Sequence, residues 1–231
     1  LISHLNIMVR ILQSRDPQYI NEDHAILGLM PFFHAYGLSI GISTIINKQK
    51  ILIFKKFEED SFLKAIQDYK IKILAIVPPL AVFLEKTPKL SNYDLSCVER
   101  IYCGAAPLSK NTELAITKRL KNLRGIHQAY GLTEATLAVT VPDKNVLKFG
   151  SCGKVATYMS CKVRDPETRR SLNANQVGEL CVKGPMVMMR YYNDQKATRE
   201  SFTPDGWLKT GDLGYYDDEG FFYIVDRLKE L

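Results

Sequence analysis

No two cysteines in this sequence stand in C-x-x-C spacing, and the five present, Cys97, Cys103, Cys152, Cys161 and Cys181, are an odd number. That pattern excludes a disulfide framework and a zinc site as expectations and favours a reducing compartment. No apolar run is long enough to cross a bilayer; the best stretch, Ile73 to Leu84, is interrupted by Pro78-Pro79. The start, Leu1-Ile2-Ser3-His4, lacks an initiator methionine and the charged-then-apolar pattern of a secretion signal. The end, Leu228-Lys229-Glu230-Leu231, is neither Ser-Lys-Leu nor Lys-Asp-Glu-Leu. Both ends read as cut, and no targeting signal is visible. Internal repeats and low-complexity segments are lacking too. So is any basic run interleaved with aromatics, the footprint of nucleic-acid binding. Lys118-Arg119-Leu120-Lys121 reads instead as a solvated, cation-rich helix end.

What is present is an ordinary globular composition: 231 residues, 46% hydrophobic and 24% charged, enough for one large domain or two small ones. The net charge of +6 is scattered over the chain, and a mildly basic surface helps to draw in an anionic ligand. Along the chain, Leu5, Met8, Val9 and Leu12 keep helical spacing up to Asp16-Pro17. Ala25 to Met30 is a short apolar run closed by Pro31, as in a buried parallel strand, and it delivers His34 into a loop at the strand's carboxyl end. A strand at Ile51–Phe54, a helix at Ser61–Tyr69 capped by Ser61 and a strand at Ile71–Val77 follow. After Pro78-Pro79 come a helix from Leu80, a strand at Val98–Cys103, and a helix capped by Ser109 that runs to about Leu123. This alternation predicts α/β architecture with a mostly parallel sheet and flanking helices. From about Lys148 the texture becomes short antiparallel strands with turns at Asp165-Pro166-Glu167-Thr168 and Asp217-Asp218-Glu219-Gly220.

The stretch with the most chemistry is Gly125 to Val139, centred on Tyr130-Gly131-Leu132-Thr133-Glu134-Ala135-Thr136. Gly131 permits close backbone approach, Thr133 offers a hydroxyl, Tyr130 a flat face and Glu134 a carboxylate. Placed at a strand-to-loop-to-helix turn, such residues hold a phosphate, and the carboxylate holds Mg²⁺ against its oxygens. A hairpin or a plain helix cap accounts for the same string equally well. Further strings accompany it: Cys103-Gly104-Ala105-Ala106-Pro107-Leu108-Ser109, Gly178 to Pro185, Gly206-Trp207-Leu208-Lys209-Thr210-Gly211-Asp212, and Val225-Asp226-Arg227-Leu228-Lys229. By itself, Asp212 reads as a turn Asp, Arg227 as a surface residue paired with Asp226 or Glu230, and Gly104–Ala106 as tight strand-to-helix packing.

Taken in order, these strings resemble the motifs of the adenylate-forming enzymes, the superfamily of acyl-CoA synthetases and beetle luciferases, closest in look to the 4-coumarate-CoA ligase and luciferase branch. The resemblance covers nearly the whole chain and implies a fragment. It implies an α/β subdomain at 1–148, incomplete at its N-terminus, a small antiparallel β-barrel-like subdomain at 149–226, and the start of a hinge at 227–231. It implies that Gly104, Ala105 and Ala106 and the Tyr130 ring wall an adenine slot. Ala129, Gly131, Leu132 and Thr133 would lie along the nucleotide, Asp212 would accept the ribose hydroxyls, and Arg227 would reach the ribose. Gly-Ala-Ala stands where luciferases usually have Gly-Gly-Ala, a departure of one methyl group. His34 is similar to the family's carboxylate-orienting histidine, and Glu134 to its metal-placing acid, giving His34, Thr133 and Glu134 as the catalytic set. Arg10, His34, Leu137 and Ala138 would line the acyl pocket. His127 and Leu137 stand where luciferases carry Arg and Ser, which makes that pocket less polar and favours a fatty or aryl acid.

The implied chemistry is attack of a carboxylate on the α-phosphate of ATP, giving an acyl-adenylate and pyrophosphate, then displacement of AMP by coenzyme A. Such a site works by positioning and charge stabilisation, with no covalent nucleophile on the protein. ATP/AMP, Mg²⁺ and coenzyme A are the expected small molecules beside the acid, in an intracellular setting, peroxisomal or cytoplasmic. The superfamily's Lys-containing phosphate loop and C-terminal lid are expected to lie outside this sequence, so the chain is expected to fold only partly and not to form adenylate alone. A luciferase-like monooxygenase using the same adenylate and a non-catalytic nucleotide-binding remnant are the alternatives.

Overall fold

A computed structural model describes residues 1–15, 25–143 and 145–228. The first half alternates helix and strand: α1 (His4–Ser14), β1 (Ile26–Gly28), α2 (Ala35–Ile46), β2 (Ile51–Ile53), α3 (Glu59–Asp68), β3 (Ile73–Ile76), α4 (Pro78–Lys86), β4 (Arg100–Cys103), α5 (Lys110–Arg119) and β5 (Gly125–Gln128). The second half is mostly strand: β6 (Tyr130–Leu132), β7 (Leu137–Val141), β8 (Lys154–Val155), β9 (Ser160–Arg164), β10 (Gly178–Lys183), α6 (Gln195–Ser201), β11 (Leu208–Tyr216) and β12 (Phe222–Arg227). Short 3₁₀ turns occupy Pro88–Asn92 and Thr133–Ala135. The described residues fall into two compact units. One holds 25–128 and 145–150, the other 1–15, 129–143 and 151–228.

In the α/β unit, β3-β4-β5 form a parallel sheet and β1-β2 a parallel pair. The predicted alternation holds because each strand is a short apolar run bounded by turn residues. Phe62, Leu63 and Ile66 of α3, Leu80 and Leu84 of α4 and Ile116 of α5 pack with Leu74, Ile76, Ile101 and Ile126 of the strands in one buried core. Pro78 and Pro79, expected to stop β3, also start α4: they sit in its first turn, where a missing N–H leaves nothing unsatisfied. Ser61 is not the cap of α3; the helix begins two residues earlier, after Glu58, and Glu59 and Asp60 charge its first turn. Ser109 does cap α5, accepting from the Thr112 N–H at 3.1 Å, but the helix ends at Arg119 rather than Leu123. Arg119 is no solvated cation. Its guanidinium donates to the carbonyls of Leu84, Glu85 and Thr87, closing the C-terminal end of α4.

In the other unit the antiparallel strands make two open sheets, in the orders β12-β11-β10-β9 and β6-β7-β8; no closed barrel occurs among the described residues. Val139, Val182, Met186 and Leu208 form one apolar cluster, and Val163, Leu180 and Phe222 another. The turns behave as read: Asp165 accepts from the N–H groups of Glu167 and Thr168, and Asp217 from those of Glu219 and Phe221. Helix α6, capped by Asp194, was not expected.

Helix α1 forms where its apolar spacing places it, and the expected stop at Asp16-Pro17 lies outside the described residues. Of its apolar stripe only Val9 packs into a core, however. Leu5, Met8 and Leu12 are 59%, 60% and 52% exposed, and the buried face carries Asn6, Val9, Gln13 and Ser14. Polar bonds hold it instead. Ser3 and Asn6 form a capping box, Asn6 Nδ2 donates to the carbonyls of Pro185 and Val187, and Gln13 Nε2 donates to Thr157 O at 3.0 Å. All five cysteines are free, as expected, and no helix among the described residues is long and apolar enough to cross a membrane.

Candidate functional site

The Tyr130–Thr136 string is a hairpin rather than the start of an α-helix. β6 leads into the 3₁₀ turn Thr133–Ala135 and returns antiparallel as β7. Thr136 and Leu137 take positive φ, 50° and 89°, to make the reversal. Gly131 is required by packing, since a Cβ there would lie 1.5 Å from the Leu137 carbonyl oxygen. Thr136 Oγ1 donates to Met186 O at 2.6 Å, and the Met188 N–H donates to Glu134 O at 2.6 Å, tying the turn to the segment after β10. Thr133 is therefore exposed at a hairpin turn, and no α-helix N-terminus stands behind it.

Asp212 is likewise not a turn residue. It lies within β11, just after Gly211 at φ 73°, and faces Arg227 of β12 in register. Its carboxylate is shared. Tyr130 donates its hydroxyl to Oδ2 at 2.5 Å, and Arg227 Nε donates to Oδ1 at 3.0 Å. The Asp212 side chain is 6% exposed and the Arg227 side chain 66%, so the pair runs from the interior to the surface. Burial first, then the Asp212 charge and hydrogen bond, push the Tyr130 phenol well above its ordinary range, so it stays a donor. Thr210 completes the arrangement: its hydroxyl donates to Leu180 O at 2.9 Å and accepts from the Asp212 N–H at 3.1 Å. Irregular strand pairing adjoins both ends of the cluster, between Tyr130 and Gly131 and between Leu213 and Gly214.

Glu134 accepts at Oε1 from the Tyr191 hydroxyl at 2.8 Å. That phenol is raised by burial first and by Glu134 second. The bond occupies one carboxylate oxygen, and a carboxylate has capacity for further ligands. No cluster of three metal-ligating side chains occurs among the described residues. A lone carboxylate still fits Mg²⁺ held mainly by phosphate and water, but does not fit a metal caged by protein.

The other residues singled out in the sequence are divided between the two units. Leu132 closes the hairpin opposite Leu137, while Ala138 is buried with Val141 and Ala156. Arg10, on α1, donates to Gln13 Oε1 at 3.2 Å. Ala129 links β5 to β6. His34 and the Gly104–Ala106 loop belong to the α/β unit. His34 caps α2, its Nδ1 accepting from the Tyr36 N–H at 3.1 Å, and it is exposed. Gly104–Ala106 follows β4, with Ala105 and Ala106 exposed and Ala105 at φ 77°. The hinge residue Lys229 lies outside the described residues. Sequence reading missed Thr210 and Tyr191, although a Thr two residues before an Asp is a recognisable side-chain-to-backbone pattern.

The family model described as AMP-binding enzyme matches residues 1–192, and the chain belongs to that family. It is 43% identical over 233 residues to luciferin 4-monooxygenase of Nipponoluciola cruciata, covering 100% of this chain and 42% of that protein. It is 40% identical to probable 4-coumarate–CoA ligase 1 of Dictyostelium discoideum, with the same coverage. The solved structure of O-succinylbenzoate coenzyme A synthetase from Bacillus subtilis, in complex with ATP and magnesium ion, superimposes with a TM-score of 0.83 at 28% identity. That match covers 100% of this chain and 47% of the other. The chain thus spans less than half the length of the curated relatives it matches.

Proposed function

We propose that the chain is the nucleotide-gripping part of an ATP-dependent carboxylic acid:CoA ligase, which makes an acyl-adenylate and then an acyl-CoA thioester. The observation that carries this reading is the Tyr130–Asp212–Arg227 cluster in a member of the AMP-binding family. A buried carboxylate with two oxygens suits a pair of neighbouring ribose hydroxyls, and its bonds to Tyr130 and Arg227 hold it oriented before ligand arrives. The exposed Arg227 would also reach the ribose, and the Thr133 hydroxyl would supply a donor for the phosphate. The bare backbone of Gly104–Ala106 offers a surface to a flat base. Glu134, steadied by Tyr191, would hold Mg²⁺, which supplies charge neutralisation on the phosphoryl oxygens when bound. His34 would orient the incoming carboxylate, and Arg10, Leu137 and Ala138 would contribute to the acyl site. Coenzyme A is the proposed second-step acceptor.

Calorimetric titration of the 231-residue chain with an acyl-sulfamoyl adenosine, a stable mimic of the adenylate, tests this. Binding is expected, with Asp212→Asn weakening it about tenfold to a hundredfold, the value of hydrogen bonds to a charged acceptor. The 2′,3′-dideoxy form of the mimic should be indifferent to that substitution. No binding, or equal loss for both forms, would contradict the reading. A second reading, a luciferase-like monooxygenase acting on the same adenylate, is favoured by the 43% identity to a luciferin 4-monooxygenase. Light output from a longer form of the protein given luciferin and ATP would select it.

A further inference from the structure

Leu108 follows the exposed Ala105–Pro107 turn, and one side chain takes both of its main-chain polar groups. The Leu108 N–H donates to Gln128 Oε1 at 2.8 Å, and its carbonyl accepts from Gln128 Nε2 at 3.3 Å. The same Nε2 donates to Glu113 Oε1 at 2.6 Å. Gln128, at the end of β5, is 7% exposed, and Glu113, in α5, is 2% exposed. An amide paired in this way replaces a neighbouring strand for one residue, fixing where the loop between β4 and α5 re-enters the fold. The loop's other end is also anchored, with the Gly104 N–H donating to Ile76 O at 3.2 Å. Between the anchors Ala105 sits in the left-handed region, a conformation that persists only when its surroundings over-determine it. Burial holds the Glu113 carboxyl above its ordinary range, which lowers the cost of sealing an acid behind the amide.

We infer that Gln128, with Glu113 behind it, is a positioning residue that holds the Gly104–Pro107 backbone as a preformed surface for the flat face of a purine. The inference rests on the proposed base contact of that loop. Neither side chain touches the nucleotide; both act through the main chain of Leu108. A simple gap-filling amide would account for the burial but predicts no selectivity between the base and the rest of the ligand.

The test compares AMP with ribose 5-phosphate, which lacks the base, by calorimetry on the full chain. Gln128→Leu keeps the volume and removes the three bonds. It is expected to weaken AMP about tenfold and leave ribose 5-phosphate unchanged. Glu113→Leu, which frees the amide but leaves the Leu108 bonds possible, should weaken AMP about threefold. Glu113→Gln keeps an acceptor oxygen and should restore AMP affinity to within about twofold. Equal loss for both ligands, or no loss for either, overturns the inference. Wild-type chain that binds AMP no tighter than ribose 5-phosphate overturns the base-contact reading itself, and the inference with it. If Gln128→Leu does not fold by circular dichroism, Glu113→Leu carries the comparison. Should neither fold, hydrogen exchange at the wild-type Leu108 amide decides: slowing with AMP but not with ribose 5-phosphate is expected, and equal behaviour with the two overturns it.

Discussion

Asp212 gathers more of the site than any other residue, and its neighbours explain what its substitution should do. Its carboxylate accepts from a buried phenol and from a guanidinium, so Asp212→Asn leaves Tyr130 and Arg227 facing a neutral amide. Tyr130→Phe removes only one of these bonds. It should lower stability by about 1.5–3 kcal/mol, the usual value for a hydrogen bond to a charged group, read by urea denaturation. Glu113 supplies a pH prediction. Burial raises its folded-state pKa above the ordinary 4.5, so the unfolded chain releases this proton at lower pH than the folded one. The group's contribution is therefore fully present below pH 4.5 and is lost as pH rises from there through the folded value. Glu113→Gln lacks this loss. Its melting temperature relative to wild type should rise as pH increases above 4.5; a constant difference would contradict the assignment. At this scale the sequence was only partly legible. It pointed to Tyr130 and Asp212 through a family likeness, but nothing in the string shows that one side chain bonds the other, because that depends on how the sheet holding β6 packs on the sheet holding β11. His34 shows the reverse case, where an imidazole read as catalytic is also a helix cap.

At the scale of elements, the hairpin β6–β7 was the least legible part. Thr-Glu after Gly-Leu suits a helix N-terminus and a tight reversal equally, and the choice is made by Gly131, which lets the Leu137 carbonyl approach where a Cβ would stand. Gly131→Ala should destabilise the chain by about 3 kcal/mol, the upper range for overpacking, or prevent folding, as measured by urea denaturation. The strands of the α/β unit and its helices α3 to α5 were legible because apolar runs, prolines and the Ser109 cap agree with one another, whereas α2 was not, since the residues around His34 read as a loop. Helix α1 was legible in place but not in facing. Periodicity reports that one stripe is apolar; it does not report which stripe is buried, and here Asn6 and Gln13 face inward. Two opposed outcomes follow. Leu5→Gln and Met8→Gln should each change stability by less than about 0.5 kcal/mol. Asn6→Ala, which strands two carbonyls and breaks the capping box, should cost about 1–3 kcal/mol. Larger losses from Leu5 and Met8 would show that their face is covered in solution.

At the scale of the molecule, the chain is two compact units that together match less than half of each curated relative. Family membership rests on residues 1–192, and the ordered set of motifs made that legible from sequence alone. The mostly parallel first part and antiparallel second part were legible as well; the open form of the antiparallel sheets was not, since closure depends on strand pairing that local pattern does not encode. We expect no detectable exchange of pyrophosphate into ATP by this chain with any carboxylic acid, and a rate above background would contradict that expectation. The central claim is that Asp212 accepts a ribose, and the most direct measurement is a crystal structure of the chain with an acyl-sulfamoyl adenosine bound. Both ribose hydroxyls are expected within hydrogen-bonding distance of the Asp212 carboxylate. A ribose bound elsewhere, with the Asp212 carboxylate still engaged only by Tyr130 and Arg227, would contradict it.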